Sequence, residues 1–266
     1  MSFDFGGFAR EGLGAPAAEW TGWPEFNFVG GHNDEASVPV DAFRAAADAV
    51  LAREGATLGM YFMQSGPLGY LPMREYMVTK LKKYAGIDCT AGQVMLTTGS
   101  LQGIDLVNDV MLEAGDTVVV EESNYGGVFP RLKRKGVTVE TVPVDADGMD
   151  VEALSNILDT LKARGVRAKY IFTIPTVHNP TGAIMTLPRR ERLMELARAH
   201  DTVVFEDECY ADLVWAGTRP PALRSLDTDG RVIHIGTFSK TIAPALRVGI
   251  CLRRLGCVIA PVIGEI

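Results

Sequence analysis

The chain has 266 residues, 47% of them hydrophobic and 22% charged, with a formal net charge of -7. This suits one large globular domain with part of a second, and the acidic balance excludes nucleic acid as a bulk electrostatic partner. Cys89, Cys209, Cys251 and Cys257 show neither CxxC nor metal-ligand spacing, no apolar run is long enough to span a bilayer, and the opening MSFDFGGFAREGLG lacks the regions of a signal peptide, so a cytoplasmic protein without a metal centre or a membrane partner is expected.

The first forty residues are rich in Gly, Pro and aromatics, with Phe3, Phe5, Phe8, Trp20, Trp23, Phe26 and Phe28, and hold no period. They predict an extended arm that packs on another surface. After Pro39 a helix is predicted over 40–53, with Phe43, Ala47, Val50 and Leu51 on one face. A Gly/Pro-punctuated loop, 59–69, leads to a second helix opened by Pro72, with Met73, Met77, Leu81 and Tyr84 apolar and Gly86 closing it. From residue 93 short strands alternate with helices. The strands are Val94–Thr98, Thr117–Glu121, Thr138–Val142, Tyr170–Ile174, Val203–Glu206 and Val232–Ile235; the helices lie around 101–113, 125–135, 151–163 and 188–199. The alternation predicts an α/β fold, an open, mostly parallel sheet covered by helices on both faces. In such sheets ligands bind at the carboxyl ends of the strands.

Five segments near those ends carry chemistry. In Thr97-Thr98-Gly99-Ser100-Leu101-Gln102-Gly103, a strand turns at glycine into a helix, which aims free N–H groups at one spot suited to a phosphate; an ordinary helix cap explains it equally. Tyr125, in Glu121-Glu122-Ser123-Asn124-Tyr125, is expected to open a helix and could lie on a flat aromatic ligand, or fill a core. Asn179, in the twice-prolined run Ile174–Gly182, is held out of the helical region by Pro180 and presents its amide in a fixed direction. His178 beside it is set aside as a base. Asp207, in Phe205-Glu206-Asp207-Glu208-Cys209-Tyr210, is delivered by an apolar strand; such a carboxylate needs a partner, and a protonated pyridine nitrogen would be one, with Tyr210 reaching the ring from the other side. An acidic loop or a metal site is the plainer alternative, although no histidine stands at ligand spacing.

The fifth segment is Gly236-Thr237-Phe238-Ser239-Lys240 through Arg247. A lysine able to form an imine sits among two hydroxyls and a guanidinium able to hold a phosphate. An aldehyde joined to a phosphate describes pyridoxal 5'-phosphate (PLP).

Together the runs QSGPLGYLPMRE, TTGSLQGIDLV, TIPTVHNPTG, FEDECYADL and GTFSKTIAPALRVG resemble the class I/II aminotransferases of fold type I, closest to the branch with 2-aminoadipate and broad-range aromatic aminotransferases. The resemblance covers about residues 28–250. It implies a PLP-dependent transferase that moves an amino group between an L-amino acid and a 2-oxo acid by a ping-pong mechanism through a Lys240 aldimine, in amino acid biosynthesis. It implies Lys240, Asp207 and Tyr210 as catalytic residues. Asn179 and Tyr210 would bond the ring oxygen and Tyr125 would stack on the ring. Ser100, Leu101, Gln102, Thr237, Ser239 and Arg247 would surround the phosphate, the first three largely through backbone N–H groups. Gly31, in the Gly30-Gly31-His32 run, and Asn179 would face substrate. A homodimer is implied, with 2-oxoglutarate as acceptor. Where relatives carry a tyrosine that reaches the partner subunit's phosphate, this chain has Ser65, with Tyr70 nearby.

The division expected is 1–65 as arm and part of a small domain, and 66–266 as a PLP-binding large domain. The tail CLRRLGCVIAPVIGEI departs from the family, so the C-terminal small domain and its carboxylate-binding arginine are expected to be missing, with little or no activity in residues 1–266. A PLP-dependent lyase or decarboxylase, an inactive fragment and a regulator-type sensor domain are the alternative readings.

Overall fold

The computed structural model describes residues 19, 21–22, 24–26, 30–60 and 65–252. Most of the aromatic arm (Phe3, Phe5, Phe8, Trp20, Trp23, Phe28), Cys257 and the tail from residue 253 lie outside them. Two helices come first, α1 (Val40–Glu54) and α2 (Leu71–Ala85). Then follow β1 (Val94–Thr97), α3 (Ser100–Met111), β2 (Thr117–Glu121), α4 (Val128–Lys135), β3 (Thr138–Val142) and a small hairpin of β4 (Val144–Asp145) and β5 (Gly148–Met149). The core is completed by α5 (Val151–Ala163), β6 (Ala168–Thr173), α6 (Leu187–Ala199), β7 (Val203–Asp207), β8 (Val232–Thr237) and β9 (Gly249–Leu252).

The strands form a seven-stranded sheet in the order β1-β9-β8-β7-β6-β2-β3. Pairing is parallel from β8 to β3, while β9 runs antiparallel to both β8 and β1. Alternation along each strand separates two cores. Val119, Ile171, Val204 and Val232 stand in register across four strands and pack against Leu154 and Leu158 of α5 and Leu193 and Met194 of α6. Their neighbours Val120, Phe172, Phe205 and Ile233 form the matching row on the other face, against Ile104 and Val107 of α3 and Leu132 of α4. The Phe172 and Phe205 rings meet edge to face, 5.2 Å apart. Asp150 caps α5, accepting from the N–H groups of Glu152 and Ala153 at 3.0 Å each. Among the described residues no helix is long and apolar enough to cross a membrane.

Several expectations need correction. The helix at 40–53 forms, but no α1 residue is buried, and Val50 and Leu51 are exposed. On α2, Met77 and Leu81 enter a third core with Val94, Ile250 and Leu252, whereas Tyr84 is exposed beneath Lys83. The β4–β5 hairpin and β9 carried no sequence expectation. Tyr125 does not open α4, which begins three residues later; it lies in the preceding loop.

β9 fixes one close approach that bears on the site. A Cβ on Gly249 would stand 2.7 Å from the carbonyl carbon of Gly99 and 2.9 Å from Ser100 N. These are backbone atoms and cannot swing aside. Gly249→Ala is therefore expected to lower stability by about 2–3 kcal/mol and to push the β1–α3 turn outward; a thermal midpoint unchanged within a degree would refute this.

Candidate active site at the carboxyl ends of the strands

The turns after β1, β2, β6, β7 and β8 meet around one cavity of about 120 Å³. At one end, Gly99 takes φ 81°, open to glycine at no steric cost. A Cβ there would overlap the Arg247 guanidinium, whose Nη2 donates to Thr98 O at 3.0 Å. The first N–H groups of α3 have no partner within the helix. Ser100 and Leu101 line the cavity beside Thr237, Ser239 and Arg247. Thr237 Oγ1 and Ser239 Oγ lie 2.9 Å apart, and Thr237 Oγ1 donates to Val248 O at 3.0 Å. Gln102 does not line the cavity; its exposed side chain turns back to accept from Thr98 N at 2.7 Å.

Lys240 follows β8. Its Nζ donates to Gly30 O at 3.0 Å and Gly31 O at 3.1 Å. Burial holds its pKa below the usual lysine value, and the Arg247 charge acts in the same sense against the thiol of Cys209. A Cβ on Gly31 would lie 3.1 Å from Lys240 Nζ and 3.5 Å from Tyr210 Oη, so only glycine leaves this space free. Tyr210 and Asn179 are joined by a side-chain hydrogen bond, and burial raises the Tyr210 pKa.

The acidic cluster divides by strand alternation. Glu206 faces one side, where His234 Nδ1 lies at 2.8 Å and Leu223 N donates at 2.5 Å; although burial alone would raise its pKa, these contacts lower it. Glu208 accepts from Arg219 Nη2 at 2.8 Å and Thr176 Oγ1 at 2.6 Å. Asp207 faces the cavity with the N–H of Cys209 at 3.0 Å and, among the described residues, makes no ion pair. Burial pushes its pKa up to about 6. The cluster thus holds two satisfied carboxylates and one that lacks a cation.

All eleven residues singled out for the cofactor are described, and ten of them, Gln102 being the exception, line the cavity. Ser65 is committed elsewhere, its hydroxyl accepting from Leu71 N at 3.0 Å, and Tyr70 donates to Glu54 at 2.6 Å. His178 is buried away from the cavity against Glu121. Cys209 also lines the cavity, and its place in the sequence two residues after Asp207 is the signal for it.

A family model described as aminotransferase class I and II matches residues 32–255. The aromatic-amino-acid aminotransferase 1 of Thermococcus litoralis is 32% identical over 223 residues, covering 84% of this chain and 53% of that protein. An uncharacterised HTH-type transcriptional regulator of Escherichia coli, YjiR, is 33% identical over 243 residues, covering 87% of this chain and 50% of its own length. Among solved structures, LysN, the alpha-aminoadipate aminotransferase of Thermus thermophilus complexed with N-(5'-phosphopyridoxyl)-L-leucine, superposes with a TM-score of 0.76 at 31% identity, covering 85% of this chain and 56% of that one. The chain spans about half the length of the relatives it matches.

Proposed function

Because this chain belongs to the class I and II aminotransferases, we propose that its cavity holds PLP and serves the transfer of an amino group from an L-amino acid to a 2-oxo acid. The observation that carries this is that one cavity is lined both by the Lys240 amine, which donates to two backbone carbonyls, and by the buried Asp207 carboxylate, which makes no ion pair among the described residues. The donor set fits the cofactor. Helix-start N–H groups, Thr237, Ser239 and Arg247 suit a phosphate, Asn179 and Tyr210 a ring oxygen, Tyr125 a ring face and Asp207 a ring N–H.

When bound, PLP supplies an aldehyde for the amine and a protonated ring that draws electrons from the substrate α-carbon. Lys240, with its pKa lowered, has a larger neutral fraction for bonding the aldehyde and for carrying the α-proton off and on. Asp207 would retain the proton on the ring nitrogen, since two partners of opposite charge would share one buried site. Tyr210 and Asn179 would donate to the ring oxygen. Arg247 anchors the phosphate from a left-handed conformation, φ 52°, which directs its guanidinium back over the β1–α3 turn. The open space at Gly31 leaves room for substrate beside Lys240.

Transfer proceeds in two half-reactions at this one site, with 2-oxoglutarate as acceptor, in a cytoplasmic homodimer engaged in amino acid biosynthesis. Residues 66 onward supply the cofactor-binding domain. A second reading, a sensor that binds the same cofactor, is favoured by the likeness to the HTH-type regulator. Titration with PLP followed by L-amino acids and then 2-oxo acids separates the two. Aminotransfer is expected to convert the visible band and then restore it, however slowly; a band that L-amino acids never perturb counts against transfer by these residues and leaves only the cofactor site, and no visible band at any PLP concentration would sink both readings.

A further inference from the structure

Glu121, which closes β2, and His178, next to Asn179, form a buried pair with no part in the chemistry above. Each side chain is 1% exposed, and neither lines the cavity. Glu121 Oε1 accepts from Thr173 Oγ1 at 2.6 Å; its Oε2 accepts from Ile174 N at 2.9 Å and Asn124 Nδ2 at 3.3 Å. His178 Nε2 lies 3.2 Å from the same Oε2, off the angle of a full hydrogen bond, and has no other partner among the described residues. On its far side Nδ1 lies 2.9 Å from Thr181 Oγ1, which accepts from Ala183 N at 3.3 Å. His178 thus lies between the two, with Nε2 facing Glu121 and Nδ1 facing the Thr181 hydroxyl.

The pair joins two loops that must meet one flat ligand. On one side Glu121 holds Asn124, whose Oδ1 accepts from Tyr125 N at 2.8 Å. On the other it holds His178, one peptide from Asn179. We propose that Glu121 and His178 are positioning residues, a buried brace that sets the spacing between the Tyr125 ring and the Asn179 amide. A satisfied network in a low-dielectric interior holds its geometry tightly, and an error of an ångström at either loop would separate a stacking face from a ring-oxygen donor. The brace rests on the assignment of the cavity to PLP.

The test is a thermodynamic cycle read by PLP binding to the 266-residue chain, followed by visible absorption. Glu121→Gln is measured alone and in a Tyr125→Ala/Asn179→Ala background, which lacks both groups being positioned. Glu121→Gln alone is expected to raise Kd about tenfold or more, and in the background by about twofold at most. A loss at least about threefold larger alone than in the background supports the brace. Any smaller difference, including equal losses or none, overturns it, because a merely structural carboxylate weakens both proteins alike. Where Glu121→Gln does not fold, His178→Gln takes its place with the same two outcomes. Failure of the unsubstituted chain to bind PLP overturns the cofactor assignment and the brace with it; binding with additive losses overturns the brace alone.

Discussion

Lys240→Ala is expected to abolish the pyridoxyl mass that borohydride fixes on the chain after exposure to PLP, and to lower any amino-transfer rate by at least about ten-thousandfold. Among the described residues no other lysine lines the cavity. Its amine is desolvated, lies near the Arg247 charge and is oriented by two main-chain carbonyls, so it combines a raised neutral fraction with a fixed direction. Removing it deletes both the covalent anchor and the group placed to move a proton. The phosphate contacts remain, so weak reversible binding should persist. Peptide mapping checks the result: a full-yield adduct in Lys240→Ala, or one on a different lysine in the unsubstituted chain, contradicts the assignment.

Asp207→Asn should separate stability from function. Asp207 has a folded pKa of about 6 against an ordinary value of 3.8, raised by burial. Between these values the folded chain holds more protons than the unfolded one, so stability falls as pH rises from about 4 to about 6 and the full penalty stands above that window. A two-unit rise corresponds to about 3 kcal/mol. An amide keeps the acceptor for Cys209 N yet carries no charge. The cofactor-free Asp207→Asn chain should therefore melt several degrees higher than its parent at pH 8, with the advantage vanishing near pH 4. With PLP bound the order reverses, because a neutral partner no longer holds the ring proton: exchange of the substrate α-proton should fall by about a hundredfold or more. Unchanged exchange, or a cofactor-free melting point that does not move, would count against the buried carboxylate as the ring's counter-ion.

The parts of the fold that could be read from the chain were those with local cues. Runs such as Val118–Val120 are uniformly apolar because both faces of a parallel sheet are covered, and Pro72, Gly86 and Asp150 punctuate helices by their own backbone or capping chemistry. Gly249–Leu252 gave no such cue. It is four residues long, and its status as a strand depends on pairing with β8 and β1, which no local pattern reports. The α1 stripe had helical spacing but meets no covering surface among the described residues, and spacing alone cannot tell a buried face from a bare one. Within the site, Asp207 stood out from Glu206 and Glu208 by its motif, but the physical reason lies in the strand phase and in His234, Arg190 and Arg219, which satisfy the other two. Tyr125 shows the same limit, because the first residue of a helix after a Ser-Asn-Tyr-Gly-Gly run depends on where the loop relaxes.

The antiparallel insertion of β9 has a consequence for the order of events in folding. Among the described residues β1 has one sheet neighbour, and the register places Val94 against Leu252. The strand that begins the core therefore stays unpaired until β9 arrives, and closing so long a loop delays any reward for either. The helix-start nest after β1 and the Lys240–Arg247 hairpin between β8 and β9 are brought together by this same late step. As the chain leaves the ribosome the core strands from β2 to β8 can associate among themselves, while a grip on phosphate cannot exist until β9 docks. Phosphate-bearing ligands, if present during synthesis, would act as a latch on the last strand rather than as a seed for the sheet.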